Sequence, residues 1–78
     1  MKPIPETIKY EIAKKLVIDV SVIDDKSSLE SLGADELDKI EILMSIENEF
    51  EIDIEDDEFF NCNTISAIVA LVEFLKRK

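Results

Sequence analysis

The sequence has few of the residues that β hairpins and most catalytic sites require. It contains one glycine, two prolines, one cysteine and no histidine or tryptophan. So few turn residues argue against a hairpin-rich β fold. The single thiol, Cys62, cannot form an internal disulfide, and without histidine it lacks the usual base of a cysteine nucleophile. We therefore expect an all-α fold in a reducing, cytoplasmic setting, with no catalytic residues.

Basic residues are also scarce. The chain has nine of them against nineteen acids, a formal net charge of −10, and residues 30–58 hold thirteen acids and one base, Lys39. Such a surface repels the phosphates of nucleic acid and of anionic membranes, whereas it complements a basic protein surface. No apolar run approaches the roughly 20 residues that span a bilayer, and the N-terminus lacks the apolar segment of a secretory signal. The expected partners are basic proteins, without nucleic acid or a membrane span.

Apolar spacing in the first half of the chain predicts one helix and a long loop. Ile8, Ile12 and Leu16 recur every four residues, which predicts a helix over residues 5–16. Residues 17–23 form a short apolar stretch that suits either a strand or an ordered loop. We favour the loop, attached to the core by Val20 and Ile23, because no partner strand is evident. Residues 24–34 are then a long connection, with Leu29 and Leu32 as its apolar anchors.

The second half predicts two longer helices and a short one. Asp35 is a candidate N-cap, with Asp38 completing a capping box, for a helix that ends near Phe50. We expect its buried side to be lined by Leu37, Ile40, Leu43, Met44 and Phe50. Residues 51–55 connect to a short helical turn over residues 56–60. The last helix starts after a cap at Asn63 or Thr64 and carries Ile65, Ile68, Val69, Val72 and Leu75 at helical spacing.

One acidic segment has the alternation of a calcium-binding loop. Asp53, Glu55 and Asp57 are spaced like the first ligands of an EF-hand, but its sixth position, where the sharp turn needs glycine, holds Glu58. We therefore expect no metal site. Pairs of acids such as Glu36 and Glu41 could in principle transfer protons, yet nothing predicts an enclosed pocket around them.

The central part of the chain resembles acyl carrier proteins. That family has Leu-Gly-Ala-Asp-Ser-Leu-Asp, then an acidic helix reading apolar-Glu-apolar-apolar-Met and Glu-x-Glu-Phe. Here residues 32–38 read Leu-Gly-Ala-Asp-Glu-Leu-Asp, residues 40–44 read Ile-Glu-Ile-Leu-Met, and residues 47–50 read Glu-Asn-Glu-Phe. The similarity extends without a gap through Ile54 to Ala67 and covers nearly the whole chain, more loosely before residue 29. Glu55 departs from it, since proline is common there.

The resemblance implies a four-helix bundle of three longer helices and one short helix, with a long first loop, as a single domain over residues 1–78. It implies that the second helix docks on basic patches of acyl-processing enzymes. The implied contact residues are Asp35, Glu36, Leu37, Asp38, Glu41, Met44, Glu47 and Glu49. It also implies a partly apolar interior that shelters acyl chains, between Leu37, Ile40, Met44, Ile54, Ile65 and Ala67. A compact monomer is expected.

The main departure from the family is at residue 36. Members carry 4′-phosphopantetheine on the serine between Asp and Leu, and here that position holds Glu36. A carboxylate is a poor nucleophile for this transfer and would give a labile mixed anhydride, so we expect no prosthetic group, and any acyl or lipid chain would bind noncovalently. With serine at position 36 the group would be expected. Either Glu36 imitates the charge of the phosphodiester, or attachment was lost. The alternative function is that of a genuine acyl carrier protein whose attachment serine has been substituted.

Overall fold

The computed structural model describes residues 3–77, and within that range all regular structure is helical. Four α-helices follow one another along the chain: α1 (Ile4–Leu16), α2 (Glu36–Phe50), α3 (Asp56–Phe60) and α4 (Ile65–Lys76). A 3-10 helix, Val20–Val22, lies in the long loop between α1 and α2. The predicted all-α fold of three longer helices and one short helix is confirmed. No helix in the described range is long and apolar enough to cross a membrane.

Helix α1 forms where the sequence predicts it. Ile8 and Ile12 are fully buried, and Lys14 and Lys15 lie in the last turn, where the helix dipole favours cations. The last helical residue is Leu16, and the next residue, Val17, has a left-handed backbone (φ 57°). The amides of Val17 and Ile18 both donate to the carbonyl oxygen of Ala13. A β-branched residue in this conformation is strained by about 1–2 kcal/mol. Val17 is 88% exposed, so burial within the chain does little to offset that strain.

The long loop is attached to the core by fewer residues than expected. Ile23 and Leu29 are buried and Leu32 is half-buried, as predicted. The prediction that Val20 also anchors the loop is wrong, because Val20 is 47% exposed. The side chain of Asp19 accepts from the amide of Ser21 and starts the 3-10 helix there, whereas Ile23 lies beyond it with extended backbone angles. Val20 and Ile23 therefore do not share one face.

Helix α2 buries only part of the predicted face, where Leu43 is buried and Phe50 is half-buried as expected. Its buried residues are Ile42, Leu43 and Ile46, and α1 packs directly on this helix. Three of the residues that we expected to be buried are exposed instead: Leu37, Ile40 and Met44. At about 3.6 residues per turn, α2 carries apolar residues on two sides, and periodicity alone does not show which side packs against the core.

The last two helices, α3 and α4, complete the bundle, and the start of α4 is hydrogen-bonded to the long loop. Phe59 of α3 is 2% exposed and packs in the core beside Ile54 and Ile65. Helix α4 begins after Thr64, whose hydroxyl accepts from the amide of Ala67, so Thr64 rather than Asn63 is the cap. The first two amides of α4 donate to loop carbonyls at residues 27 and 25, both at 2.9 Å. These two bonds hold the long loop against the start of α4.

Candidate functional site

The start of α2 fixes the backbone around Glu36. Gly33, at φ 95°, takes a conformation that favours glycine, and the buried Ala34 follows it. The Asp35 carboxylate accepts from the Asp38 amide at 2.8 Å, and the Asp38 carboxylate accepts from the Asp35 amide at 3.2 Å. This reciprocal pair is the predicted capping box, and it satisfies two amides at the helix end. Glu36 is thereby held in the first turn of α2 with its side chain exposed.

Beyond Glu36, α2 presents an exposed apolar face, defined here as Leu37, Ile40 and Met44. These side chains are 63%, 40% and 61% exposed. The interior that the resemblance implied between these three residues and Ile54, Ile65 and Ala67 is therefore not formed by them. Ile54 and Ile65 are buried as expected, and Ala67 is half-buried. Leu37 and Met44 are exposed on α2, and their place among the partner-contact residues stays a prediction.

The acids predicted to contact partners differ in what they already bind. Asp35 and Asp38 are engaged in the capping box. The Glu41 carboxylate lies 3.8 Å from the Lys15 ammonium of α1, with both side chains partly exposed. Glu49 is exposed on the same helix. An exposed ion pair of this kind contributes little to stability, so Glu41 can exchange Lys15 for a partner's cation at small cost.

Glu47 has a structural role that the sequence did not reveal. Its Oε2 atom accepts a 2.8 Å hydrogen bond from the backbone amide of Ile54. Ile54 is 5% exposed, so this bond satisfies the amide of a buried residue and ties residues 51–55 to α2. No strand pairs with this segment in the described part of the chain. The Ile54 amide therefore donates to the Glu47 carboxylate instead of to a carbonyl of a neighbouring strand.

Replacing Glu47 is therefore expected to destabilise the fold. Glu47→Ala should cost about 1–3 kcal/mol, because the Ile54 amide loses its acceptor in a buried region. The control is Glu49→Ala, which also removes one negative charge from α2. It should change the free energy of unfolding by less than about 0.5 kcal/mol. Urea unfolding of the two variants checks this difference. Equal stability of the two would contradict the role given to Glu47.

Lys39 is the one base of α2, and it faces the long loop rather than a partner. Its ammonium donates to a carboxylate oxygen of Glu30, and its side chain is only 19% exposed. This hydrogen bond holds the pKa of the Glu30 carboxyl below its ordinary value. Apart from Lys39, every charged side chain of α2 is acidic.

Two open grooves border the second half of α2. One, of about 560 Å³, lies between Met44, Glu47, Asn48 and the segment that follows the helix. The other, of about 450 Å³, runs beside it and is lined by Glu47, Asp53, Ile54, Glu55, Asp56 and Asp57. Residues 53–57 are not among the predicted contact residues, although they belong to the same acidic region of the sequence. Within residues 3–77, no three acidic or cysteine side chains are grouped so that they could hold a metal ion.

The interior beside α3 is nearly filled. A cavity of about 10 Å³ remains between Leu29, Glu30, Lys39, Phe59, Phe60 and Cys62. That is close to the least space that one water molecule needs. The Cys62 thiol donates to the Glu58 carbonyl oxygen at 3.3 Å, and burial, together with the nearby Glu58 charge, raises the thiol's pKa. Cys62 is therefore a poor nucleophile, and noncovalent binding of an acyl chain in this interior stays a prediction.

Position 36 does not fit a phosphopantetheine linkage. The prosthetic group is joined through a phosphodiester, which requires a hydroxyl oxygen on the protein, and glutamate has none. Ser31 and Ser45 lie five residues before and nine residues after position 36. Ser31 is held in reciprocal hydrogen bonds with Ser28 in the loop, and Ser45 lies in the middle of α2 beside Met44. Neither occupies the capped first turn.

Comparison with known proteins identifies the family. A family model described as "Phosphopantetheine attachment site" matches residues 6–72. The chain is 39% identical, over 79 aligned residues, to the acyl carrier protein of Buchnera aphidicola subsp. Acyrthosiphon pisum (strain Tuc7), covering all of this chain and 95% of that protein. It is 42% identical over 67 residues to the acyl carrier protein of Exiguobacterium sibiricum, covering 85% of each chain. With its helical bundle and capped second helix, the chain belongs to the acyl carrier protein family.

Proposed function

We propose that this chain is an acyl carrier protein-like module that docks on basic surfaces of acyl-processing enzymes through α2 but carries no 4′-phosphopantetheine. Acyl carrier proteins are carriers rather than enzymes, and we propose no catalytic activity here. The cytoplasmic location, the single domain over residues 1–78 and the contact residues Asp35, Glu36, Leu37, Asp38, Glu41, Met44, Glu47 and Glu49 belong to the same proposal.

The observation that carries the docking role is the exposed apolar face of Leu37, Ile40 and Met44. The core does not use this face, and acids border it along α2, among them Glu36 and Glu41. An apolar centre with a charged rim is the usual anatomy of a protein interface. The apolar side chains supply contact area, while the acids set the association rate and its dependence on salt.

The absence of the prosthetic group is proposed from the chemistry of residue 36. The surrounding motif is intact, with Gly33, the capping box and an exposed side chain at the first turn. That intact geometry also favours the alternative, a genuine carrier in which the attachment serine has been substituted. Under either proposal, what position 36 lacks for attachment is a hydroxyl group.

Docking without modification can be tested by competition. A broad-specificity phosphopantetheinyl transferase is supplied with coenzyme A and the acyl carrier protein of Exiguobacterium sibiricum as substrate, and this chain is added in excess. The chain is expected to slow modification of the substrate while its own mass stays unchanged. Inhibition should weaken as ionic strength rises, because salt screens the attraction between the acidic side chains of α2 and the basic surface of the transferase.

Variants locate the surface that competes. Met44→Ala should weaken inhibition about fivefold or more, the effect of losing an interface side chain worth over 1 kcal/mol. The control is Val22→Ala, which truncates a residue of the long loop that is about as exposed as Met44 (56% against 61%). This variant should inhibit as strongly as the native chain. Absence of inhibition at low salt, or equal loss in both variants, would contradict docking through α2.

A further inference from the structure

Glu36 carries a charge that no cation within residues 3–77 pairs with. Its side chain is exposed, and none of the ion pairs in that range involves it. The base best placed to reach it is Lys39, three residues further along α2. The Lys39 ammonium donates instead to Glu30 in the long loop. Glu36 therefore presents its negative charge to whatever binds the start of α2.

The two acids beside Glu36 present their charge differently. The carboxylates of Asp35 and Asp38 each accept a backbone amide in the capping box, so both are turned onto the end of the helix. Both also belong to the Leu-Gly-Ala-Asp-Ser-Leu-Asp pattern of carriers that become modified, so their charge is compatible with the modifying transferase. The charge of Glu36 is the one that this chain adds at the start of α2.

The phosphopantetheinyl transferase must place coenzyme A directly against residue 36 of a carrier. In the ordinary transfer the serine oxygen bonds to the phosphorus that carries pantetheine, the adenine nucleotide leaves with the bridging oxygen, and the hydroxyl proton is released. Reacting atoms in such a complex lie about 3–3.5 Å apart. A glutamate side chain is longer than serine, so docking in the same orientation brings the Glu36 carboxylate against the pyrophosphate. Like charges at that distance repel each other.

We propose that Glu36 is a specificity-determining residue that makes this chain bind the free transferase more tightly than the transferase loaded with coenzyme A. The inference rests on the docking through α2 proposed above, and it adds which state of a basic partner the chain selects. A basic surface without a bound anion attracts Glu36, whereas the same surface with a pyrophosphate facing position 36 repels it. The other contacts of α2 remain, so the chain in excess still competes with a carrier.

The effect between chain and coenzyme is reciprocal. Binding free energies are linked, so the chain weakens the binding of coenzyme A by the same factor by which coenzyme A weakens the binding of the chain. The chain therefore opposes modification of carriers in two ways. It occupies the docking surface of the transferase, and it disfavours loading of the enzyme with its coenzyme.

Isothermal titration calorimetry of the full chain with a broad-specificity phosphopantetheinyl transferase tests the proposal, with and without saturating coenzyme A. Neither the native chain nor Glu36→Gln has a hydroxyl at position 36, so no transfer is expected during the titration. Divalent cations are omitted so that the pyrophosphate keeps its full charge. Coenzyme A should raise the dissociation constant of the native chain about tenfold or more, and that of Glu36→Gln less than about threefold.

Two features of the variants separate charge from other causes. Glutamine has nearly the shape of glutamate, so a steric clash with coenzyme A would affect Glu36→Gln as much as the native chain. Glu49→Gln is the matched control, because it also neutralises an exposed acid of α2 but lies away from the capped turn. It should bind less tightly than the native chain in both conditions and keep the native response to coenzyme A. Circular dichroism checks that each variant is folded.

The possible failures are distinguishable. Equal responses of the native chain and Glu36→Gln to coenzyme A would overturn the inference and leave docking through α2 intact. A response lost in Glu49→Gln as well would also overturn it, because the total charge of α2 would then be responsible. No binding in either condition would overturn the docking itself, and this inference with it.

Discussion

Glu36→Ser is expected to turn a chain that phosphopantetheinyl transferase leaves unmodified into one that it modifies fully. The substitution supplies the missing hydroxyl in the first turn of α2, where the Asp35–Asp38 capping box already fixes the backbone. The side chain at this position is exposed, so the transferase can reach it. The measurement is the intact mass after incubation with coenzyme A, which should increase by one phosphopantetheine group per chain.

The matched control for this prediction is Glu49→Ser. It also replaces an exposed acid of α2 by serine, but outside the capped turn. It should gain no mass. Refusal of the Glu36→Ser chain by the transferase would contradict the view that the side chain of one residue separates this protein from a carrier. If the modified variant then accepts acyl groups from partner enzymes, the alternative of a carrier with a substituted serine is favoured.

Phe59→Ala is expected to cause the largest loss of stability. The ring is 2% exposed, and it joins the five-residue helix α3 to the core. Removing it should cost about 3–5 kcal/mol, through lost burial and through the cavity left beside the small void that already exists near Cys62. For a chain of this length that is a large part of the total, at roughly 0.05–0.15 kcal/mol per residue. Urea unfolding followed by circular dichroism measures it.

The neighbouring ring gives the comparison. Phe60 follows Phe59 on α3, its ring centroid lies 5.9 Å from that of Phe59, and its side chain is 42% exposed. Phe60→Ala should cost only about 0.5–1.5 kcal/mol, the range of a single aromatic pair. If Phe60→Ala loses as much stability as Phe59→Ala, then the exposed ring of Phe60 contributes as much to holding α3 as the buried ring of Phe59. That result would contradict the role given to Phe59.

Much of the fold could be predicted because local signals and tertiary packing agree. The capping box at Asp35 and Asp38, the cap at Thr64 and the four-residue spacing of Ile8 and Ile12 each act within one or two turns of helix. The acidic character of α2 also followed from the sequence. The long loop followed from the spacing of the residues, and the family resemblance added the short helix as a definite element.

The errors arose where a choice depends on distant parts of the chain. Helix α2 is apolar on two sides, and only its packing on α1 decides that Ile42 and Ile46 are buried while Leu37 and Met44 are exposed. In the same way, Glu47 looks like another surface acid until the chain returns and places the Ile54 amide beside it. Hydrogen bonds between residues seven or more apart leave no periodic signal in a sequence.

The most direct test of the central claim is the intact mass of the native chain under conditions that modify Glu36→Ser completely. The account predicts that the native mass stays unchanged in the presence of transferase and coenzyme A, because position 36 has no hydroxyl to attack the pyrophosphate. A gain of one phosphopantetheine group on the native chain would contradict it, since another residue would then carry the arm.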